Sequence, residues 1–411
     1  MQTLLGGVIR HAFGAYFIYL ETDFKVTKAT LSFPFSVAQA EAGGLLGPVQ
    51  GWLLLHVGPR RVMRTGIVII SIGLLLMSLA PNLTLLFAAV IIMGLGIGLA
   101  GYLTLNTVVA HWFDLKRTTA MGFVGAGMGV GGLLLPLVAF SLGQLGWRLT
   151  AGLSAALVLT LGLGIAQIIR GKPEDYGLIP DGGKSAELTS GLEVPKEAKN
   201  SALETAAPSL FTTREALQTS AFWLLALGHA LGVMAASSLT LHMIPHLINR
   251  LQVSLEAAAT LAAVIPVLTI FSQVAGGYLG DKMNKRLLAA FCMLGHAVAL
   301  VILATGAALP MILLASVIHA LAQGIRGPLM PSIRADYFGR RGFATVMGIS
   351  LFIVMAGTLT GPVLVGYLAD QFGDYRNAFF VIAAFSALGS MMFLLARRPT
   401  PPRHFVVVAP G

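Results

Sequence analysis

The sequence has little charge and almost no cysteine. Of its 411 residues 11% are Asp, Glu, Lys or Arg, whereas a soluble domain carries about 25%. This low share excludes an ordinary soluble domain. The chain is 56% hydrophobic with a mean hydropathy of +0.82, which is typical of a polytopic helical membrane protein. The single cysteine, Cys292, excludes a disulfide framework and a cysteine-based metal cluster.

Motifs of enzymes and of targeting signals are also missing. The chain contains no GxSxG, HExxH or Walker A motif, so neither an enzyme, nor an ATP-driven pump, nor a cofactor is predicted. No charged segment precedes the first apolar run, so a cleavable signal peptide is not expected. A start trimmed at the N-terminus is compatible with this pattern.

Apolar runs separated by polar clusters predict an all-α membrane protein with twelve spans, numbered span 1 to span 12. They cover residues 2–20, 29–54, 62–80, 83–111, 118–143, 147–169, 221–248, 255–280, 286–308, 310–334, 342–369 and 376–397. The expected domains are an N-terminal half (1–169), a linker (170–220), a C-terminal half (221–397) and a tail (398–411). The linker is rich in Gly, Pro, Ser, Lys and Glu, and "TTREAL" in it predicts a short helix.

Lysines and arginines are distributed unevenly between the two sides of the predicted bundle. With the linker in the cytoplasm, 20 of the 27 lie on the cytoplasmic side, among them Arg334, and five lie outside. Arg10 and Arg326 fall inside spans. The positive-inside rule therefore predicts a plasma membrane protein with both termini in the cytoplasm. This asymmetry accounts for the net charge of +10, so a nucleic-acid partner is not expected.

The two predicted halves are internal repeats. "GWLLLHVGPRR" at 51–61 matches "GYLGDKMNKR" at 277–286, an offset of 226 residues. "HWFDLKRTTAMG" at 111–122 matches "DYFGRRGFATVMG" at 336–348 with an offset of 225, and "GWR" at 146–148 matches "DYR" at 374–376 with an offset of 228. Two parallel six-helix repeats are typical of a secondary transporter.

The chain resembles the major facilitator superfamily over its whole length. "GYLGDKMNKR" is similar to the superfamily's loop signature, and the resemblance implies a gate role for Asp281 and Arg286. In the first-half copy Leu55 and His56 replace the usual charges. "GPVQGWLLLHVGPRRVM", "YLTLNTVVAHWF" and "GIRGPLMPSIRADYFGRR" resemble the monocarboxylate transporter and oxalate/formate antiporter branch. Span 8 departs from that branch because it has no arginine.

Glycines recur in spans 5 and 11, which are counterparts in the two halves. Span 5 contains glycines at 122, 125, 127, 129, 131 and 132, and span 11 contains them at 348, 357 and 361 before Pro362. This spacing predicts close approach or bending of these helices, and close packing alone accounts for most of it.

Three ionisable residues are predicted to lie near the middle of the membrane. Glu41 lies ten residues before Gly51, Arg326 ten before Asp336 and Arg10 ten before Leu20, and ten helical residues correspond to about 15 Å. Ionisable residues at this depth indicate function, so Arg326 is the predicted anion anchor and Glu41 the predicted proton-coupling group. Two alternatives without a transport role stay open. Glu41 can be a packing counter-ion, and Arg10 can lie at the interface if span 1 is shorter.

Polar residues on spans 4 and 10 extend this candidate site. His319, Gln323 and Arg326 follow one stripe of span 10, and Tyr102 and Asn106 form an i, i+4 pair on span 4. The resemblance implies that spans 1, 4, 7 and 10 line the cavity. The predicted substrate-binding set is therefore Arg326, Arg10, Tyr102, Asn106, Gln323 and His319.

Two histidines on span 7, His242 and His246, have i, i+4 spacing near Pro245. They are predicted to belong to a gate or proton relay, with interfacial polarity as the main alternative. A zinc site is disfavoured because no cysteine or carboxylate completes the ligand set, so no metal is predicted. The other buried-span histidines, His229 and His296 among them, are interpreted as packing residues.

These features predict a secondary transporter for a small organic anion, expected to be a carboxylate, moved by alternating access with proton coupling. The expected partners are the anion, a proton and membrane lipid, and a monomer is expected. One alternative is an exporter of a drug or amphipathic metabolite, in which the arginines are structural. Another is a membrane sensor on the same scaffold, which the lack of a soluble signalling domain disfavours.

Overall fold

The computed structural model is all-helical over the residues that it describes. These are residues 1–26, 44, 46–176, 178, 180, 211–253, 255–306, 308–340 and 342–400. Most of the predicted linker and the first part of span 2, which includes Glu41, lie outside them. The helix predicted at "TTREAL" is confirmed as Thr213–Gln218, and Thr212 and Glu215 cap it reciprocally.

The helices follow the predicted order of spans. In the N-terminal half, span 1 comprises Gln2–Leu5, a π-helix at Gly6–His11, and Phe13–Phe24. Span 2 is described over Gly47–His56, and span 3 is Pro59–Ser78. Span 4 comprises Leu83–Ala100 and Tyr102–Trp112. Span 5 begins as Arg117–Gly131 and a 3-10 turn at Gly132–Leu134. It continues into Leu135–Ile168, where Gly146, at φ 74°, separates it from span 6.

The C-terminal half has longer uninterrupted helices. Span 7 is Ser220–Leu251, and span 8 comprises Leu255–Ala262 and Val264–Lys282. Spans 9, 10, 11 and 12 are Lys285–Thr305, Leu309–Phe338, Phe343–Phe372 and Arg376–Leu395. A 3-10 turn at Glu174–Tyr176 follows the N-terminal half.

Eight helices within the described residues are long and apolar enough to cross a membrane. They are Pro59–Ser78, Leu83–Trp112, Leu137–Ile168, Ser220–Leu251, Lys285–Thr305, Leu309–Phe338, Phe343–Phe372 and Arg376–Leu395. Other predicted spans are not among them. The π-helix interrupts span 1, and a break after Ala262 divides span 8 into helices of 8 and 19 residues.

Apolar packing joins the two halves at the end of the bundle from which the linker leaves, here called the linker end. A buried cluster there combines side chains of both halves: Leu54, Val62, Leu103, Ala110 and Met121 with Ala335, Phe343, Ala344 and Met347. Other buried clusters lie within one half, for example around Ile67 or Leu300. The inter-half cluster therefore closes the linker end of the space between the halves.

Glycines allow the helices of the two halves to cross closely. A Cβ atom on Gly47 of span 2 would lie 2.2 Å from the carbonyl oxygen of Gly348 on span 11. A Cβ on Gly122 of span 5 would lie 2.5 Å from the carbonyl oxygen of Gln273 on span 8. Real Cβ atoms cannot approach so closely. Because the repeat pairs span 2 with span 8 and span 5 with span 11, the two crossings are pseudo-symmetric counterparts.

Candidate functional site

Arg326 is buried in the middle of span 10, with 1% of its surface exposed. Its Nη2 donates a hydrogen bond of 2.8 Å to Oε1 of Gln323, one turn earlier on the same helix. Its Nε and Nη1 atoms have no hydrogen-bond partner in the described part of the chain. No ion pair among the described residues includes this side chain. The guanidinium is therefore a buried cation with free donors.

Three other helices surround this guanidinium. Gly232 of span 7 makes room for it, because a Cβ there would lie 2.7 Å from Cζ of Arg326. Tyr102 of span 4 and Cys292 of span 9 lie close enough to Arg326 to interact with it electrostatically. Since Tyr102 belongs to the N-terminal half, the structure brings two predicted site residues together across the two halves.

A second buried arginine, Arg334, corrects one detail of the sequence analysis. The sequence analysis places it at the cytoplasmic end of span 10, but the helix continues to Phe338 and Arg334 is buried, with 1% of its surface exposed. Its Nη1 donates to the carbonyl of Met330 at 2.8 Å and its Nη2 to that of Leu225 at 3.1 Å. The i, i+8 spacing from Arg326 is the signal that indicates a shared helix face.

Span 4 is broken beside this site. Gly101 leaves helical geometry at φ −93° and ψ −133°, and a new helix begins at Tyr102. Gln50 of span 2 stabilises the break, since its Nε2 donates to the carbonyl of Gly98 at 2.5 Å and to Oγ1 of Thr104 at 3.3 Å. The N-terminal end of the second helix therefore lies beside Tyr102, and such an end favours negative charge.

The other predicted substrate-binding residues have different surroundings. Asn106 is fully buried and donates to the carbonyl of Tyr102 at 2.8 Å, and its Oδ1 has no partner in the described structure. His319 contacts His296 of span 9, with 3.0 Å between the two Nδ1 atoms. Glu41 and the side chain of Arg10 lie outside the described residues. The backbone at Arg10 belongs to the π-helix, a feature frequent at functional sites.

Charged residues lock the two halves together at the linker end. The carboxylate of Asp281 accepts hydrogen bonds from the backbone N–H groups of Thr118 at 2.8 Å and Thr119 at 2.9 Å. These groups lie in the first turn of the helix Arg117–Gly131, where the helix dipole favours an anion. We call this contact the Asp281 cap.

A second set of charges reinforces the Asp281 cap. Arg117, buried, bridges Asp114 of its own half and Asp336 of the other. Asp336 also pairs with Lys285 at 2.5 Å. Arg340 donates to the carbonyl of His111 at 3.0 Å, again across the halves. The sequence repeat identified these loops as counterparts. It did not predict the ion pairs and hydrogen bonds between them, because the loops are distant in sequence.

The remaining predicted gate residues contact only their own half in the described structure. Nη1 of Arg286 donates to the carbonyl of Leu394 at 3.2 Å. Nε2 of His242 lies 2.9 Å from the carbonyl oxygen of Pro362, and His246 packs edge-on against Phe379. Their gate role stays a prediction. The described residues contain no group of three or more His, Cys, Asp and Glu side chains that could hold a metal ion.

These features define a class: a multi-pass helical membrane protein whose two halves meet around a buried, partly unpaired cation. The chain matches the family model of the Major Facilitator Superfamily over residues 2–271 and again over 225–409. It therefore belongs to the major facilitator superfamily, and the predicted fold with twelve transmembrane helices in two six-helix halves is confirmed.

Curated relatives confirm the resemblance to the branch that the sequence motifs indicated. The chain is 27% identical to monocarboxylate transporter 13 of Rattus norvegicus, over 100% of this chain and 91% of that protein. It is 23% identical to the oxalate:formate antiporter of Oxalobacter formigenes, over 100% of this chain and 93% of that protein. The fucose:proton symporter FucP of E. coli superimposes with a TM-score of 0.71 at 14% identity, covering 97% of both chains. The similarity to FucP, at this low identity, shows the fold alone.

Proposed function

We propose that this protein is a secondary transporter that moves a small organic anion, a carboxylate, across the membrane by alternating access together with a proton. The observation that carries the proposal is Arg326, a fully buried cation with two guanidinium nitrogens that have no partner in the described structure. The relatives named above, monocarboxylate transporters and an oxalate:formate antiporter, support the choice of a carboxylate.

A carboxylate supplies what the site lacks. A cation at this depth costs about 3 kcal/mol or more, and each buried donor left without an acceptor adds about 1–3 kcal/mol. A substrate carboxylate offsets both costs, because it brings a negative charge and two acceptor oxygens that arginine can bind in parallel. The helix end at Tyr102 favours the same charge. Broken helices commonly point such ends at anionic substrates in transporters.

The closed linker end supports a cycle of alternating access. The Asp281 cap, the charges around Arg117 and the inter-half cluster all lie on the linker side of Arg326. The state described here therefore bars the site from the linker side. Transport requires a second state in which these contacts break while the halves close on the opposite side.

Glu41 remains the proposed proton-coupling group. In the empty site its carboxylate would offset the charge of Arg326. An arriving substrate carboxylate would replace it and free Glu41 for protonation, and such competition links the anion to the proton. We also propose that the linker and both termini face the cytoplasm, that the membrane is the plasma membrane, and that the protein acts as a monomer.

Substitution of Arg326 tests the proposal in proteoliposomes loaded with lactate, formate or oxalate. Arg326→Lys keeps the charge but loses the planar fork. It should therefore raise the half-saturating carboxylate concentration for exchange by roughly tenfold, which corresponds to a loss of about 1.4 kcal/mol of binding free energy. Arg326→Ala should abolish exchange while the protein still elutes as a folded species in gel filtration. Arg148→Ala is the matched control, because Arg148 pairs at 2.6 Å with Asp23 far from the site.

Two results would contradict the proposal. If Arg326→Ala exchanges a carboxylate with normal affinity, Arg326 is not the anchor. If the wild-type protein exchanges none of the three carboxylates, the exporter alternative moves ahead.

A further inference from the structure

Two buried histidines near Arg326 contact each other. The proposed binding of the anion by Arg326 assigns no role to this contact. His296 of span 9 is 0% exposed and His319 of span 10 is 2% exposed. Their Nδ1 atoms are 3.0 Å apart, and their ring centroids are 4.5 Å apart. We call them the histidine pair.

The chemistry of imidazole makes this contact a place where a proton can be held. A neutral imidazole carries one N–H, so one ring must donate through Nδ1 while the other accepts. If His296 is the donor, its Nε2 is a free base. That atom is buried and has no partner among the described residues. A proton added to the pair turns the contact into a charge-assisted hydrogen bond, which is roughly twice as strong as a neutral one.

The charged groups near the pair decide when a proton can stay there. Arg326, two turns after His319 on span 10, lies within electrostatic range of both imidazoles. The other titratable groups on the surrounding helices are Cys292 on span 9, Tyr102 on span 4 and His229 on span 7, which all lie within electrostatic range of Arg326. None of these described neighbours is a carboxylate. The positive charge of Arg326 therefore opposes a second positive charge on the pair as long as no carboxylate lies against Arg326.

We propose that the histidine pair binds the transported proton in the C-terminal half, and that a substrate carboxylate on Arg326 makes this binding favourable. The inference rests on the proposed function, since it needs an anion at Arg326. The carboxylate cancels the repulsion between Arg326 and the pair. By thermodynamic linkage the proton then strengthens anion binding by the same factor. The proton comes from the water on one side and leaves on the other, so one carboxylate and one proton cross without net charge.

Proton-driven accumulation of lactate tests the pair. At one unit of pH difference, 1:1 symport supports about tenfold accumulation in proteoliposomes, after subtraction of uptake by protein-free liposomes. His296→Gln should reduce this ratio to about one, while lactate/lactate exchange without a gradient persists and shows that this variant folds. His319→Gln should also reduce the ratio to about one. His229→Gln is the matched control, a buried histidine on span 7 that interacts electrostatically with Arg334 and Arg326, and it should keep the tenfold ratio.

A second measurement does not depend on transport. Lactate added to purified protein in weak buffer should cause proton uptake, detected with a pH-sensitive dye. The His296→Gln variant should bind lactate in a thermal-shift assay without that uptake. Proton uptake or accumulation that persists in both variants overturns the assignment. Wild-type exchange without pH-driven accumulation also overturns it but leaves the proposed carboxylate transport intact, whereas a wild-type protein that exchanges no carboxylate refutes both.

Discussion

Removing the charge of Asp281 should open the linker end of the transporter. The carboxylate accepts two backbone hydrogen bonds, at 2.8 Å and 2.9 Å, from the first turn of a helix in the other half. An anion in such a position contributes about 0.3–1 kcal/mol, and up to ~2 kcal/mol when partly buried. Asp281→Asn keeps one acceptor oxygen but loses the charge. We therefore expect the closed state to lose about 1–2 kcal/mol, which shifts the ratio of closed to open molecules by roughly 5–30-fold.

Alkylation of a buried cysteine measures this shift. Met347 lies in the inter-half cluster with 0% exposure, so Met347→Cys in a Cys292→Ala background should react only when the linker end opens. If opening is fast compared with alkylation, the rate follows the open fraction. Asp281→Asn should then accelerate the reaction with N-ethylmaleimide by roughly the same 5–30-fold factor.

Two neighbouring variants make the result specific. Lys282→Gln is the matched control, because the ammonium of Lys282 lies 4.2 Å from the ring centroid of Tyr278 in its own half. Arg286→Gln tests the gate role predicted from the family signature, since Arg286 contacts only its own half in the described structure. An alkylation rate for Asp281→Asn equal to that of Lys282→Gln would refute the role of the Asp281 cap.

Three further predictions concern packing, coupling and orientation. Gly47→Val should raise the same alkylation rate, because its Cβ would lie 2.2 Å from the carbonyl oxygen of Gly348; an unchanged rate would show that spans 2 and 11 can separate freely. Glu41→Gln should abolish pH-driven uptake and keep part of the exchange, and normal pH-driven accumulation would make Glu41 a packing residue. Lys184→Cys, without Cys292, should resist membrane-impermeant thiol reagents in intact cells, whereas free labelling would reverse the proposed orientation.

The fold could be predicted from local properties of the sequence. A span needs about 20 apolar residues wherever it lies in the chain, so apolar runs and the polar clusters between them predicted the twelve spans. The same pattern marked Arg326 as an anomaly, since a cation in an apolar run is costly whatever surrounds it. The repeat also indicated that span 2 is the counterpart of span 8 and span 5 that of span 11, because the glycine-rich and charged motifs recur at nearly one offset.

Span ends were predicted less well, and Arg334 shows why. A charged residue near the end of an apolar run is compatible with a loop or with one more buried turn of helix. The polar segment "RADYF" continues the helix to Phe338 because Arg334 finds the carbonyl groups of Met330 and Leu225. Those acceptors offset the cost of burying a charge, and one of them lies on another span.

Composition, hydropathy and the internal repeat therefore predicted a twelve-span membrane protein with a cation inside span 10, and the motifs in its loops carried the resemblance to the major facilitator superfamily. Which side chains meet was decided by the tertiary structure alone. Asp281 meets the helix end at Thr118 and His296 meets His319, although 163 and 23 residues separate the partners along the chain. Pairs of this kind follow from how whole helices cross. The crossings depend on backbone contacts such as that of Gly47 with Gly348, which no local pattern in either helix specifies.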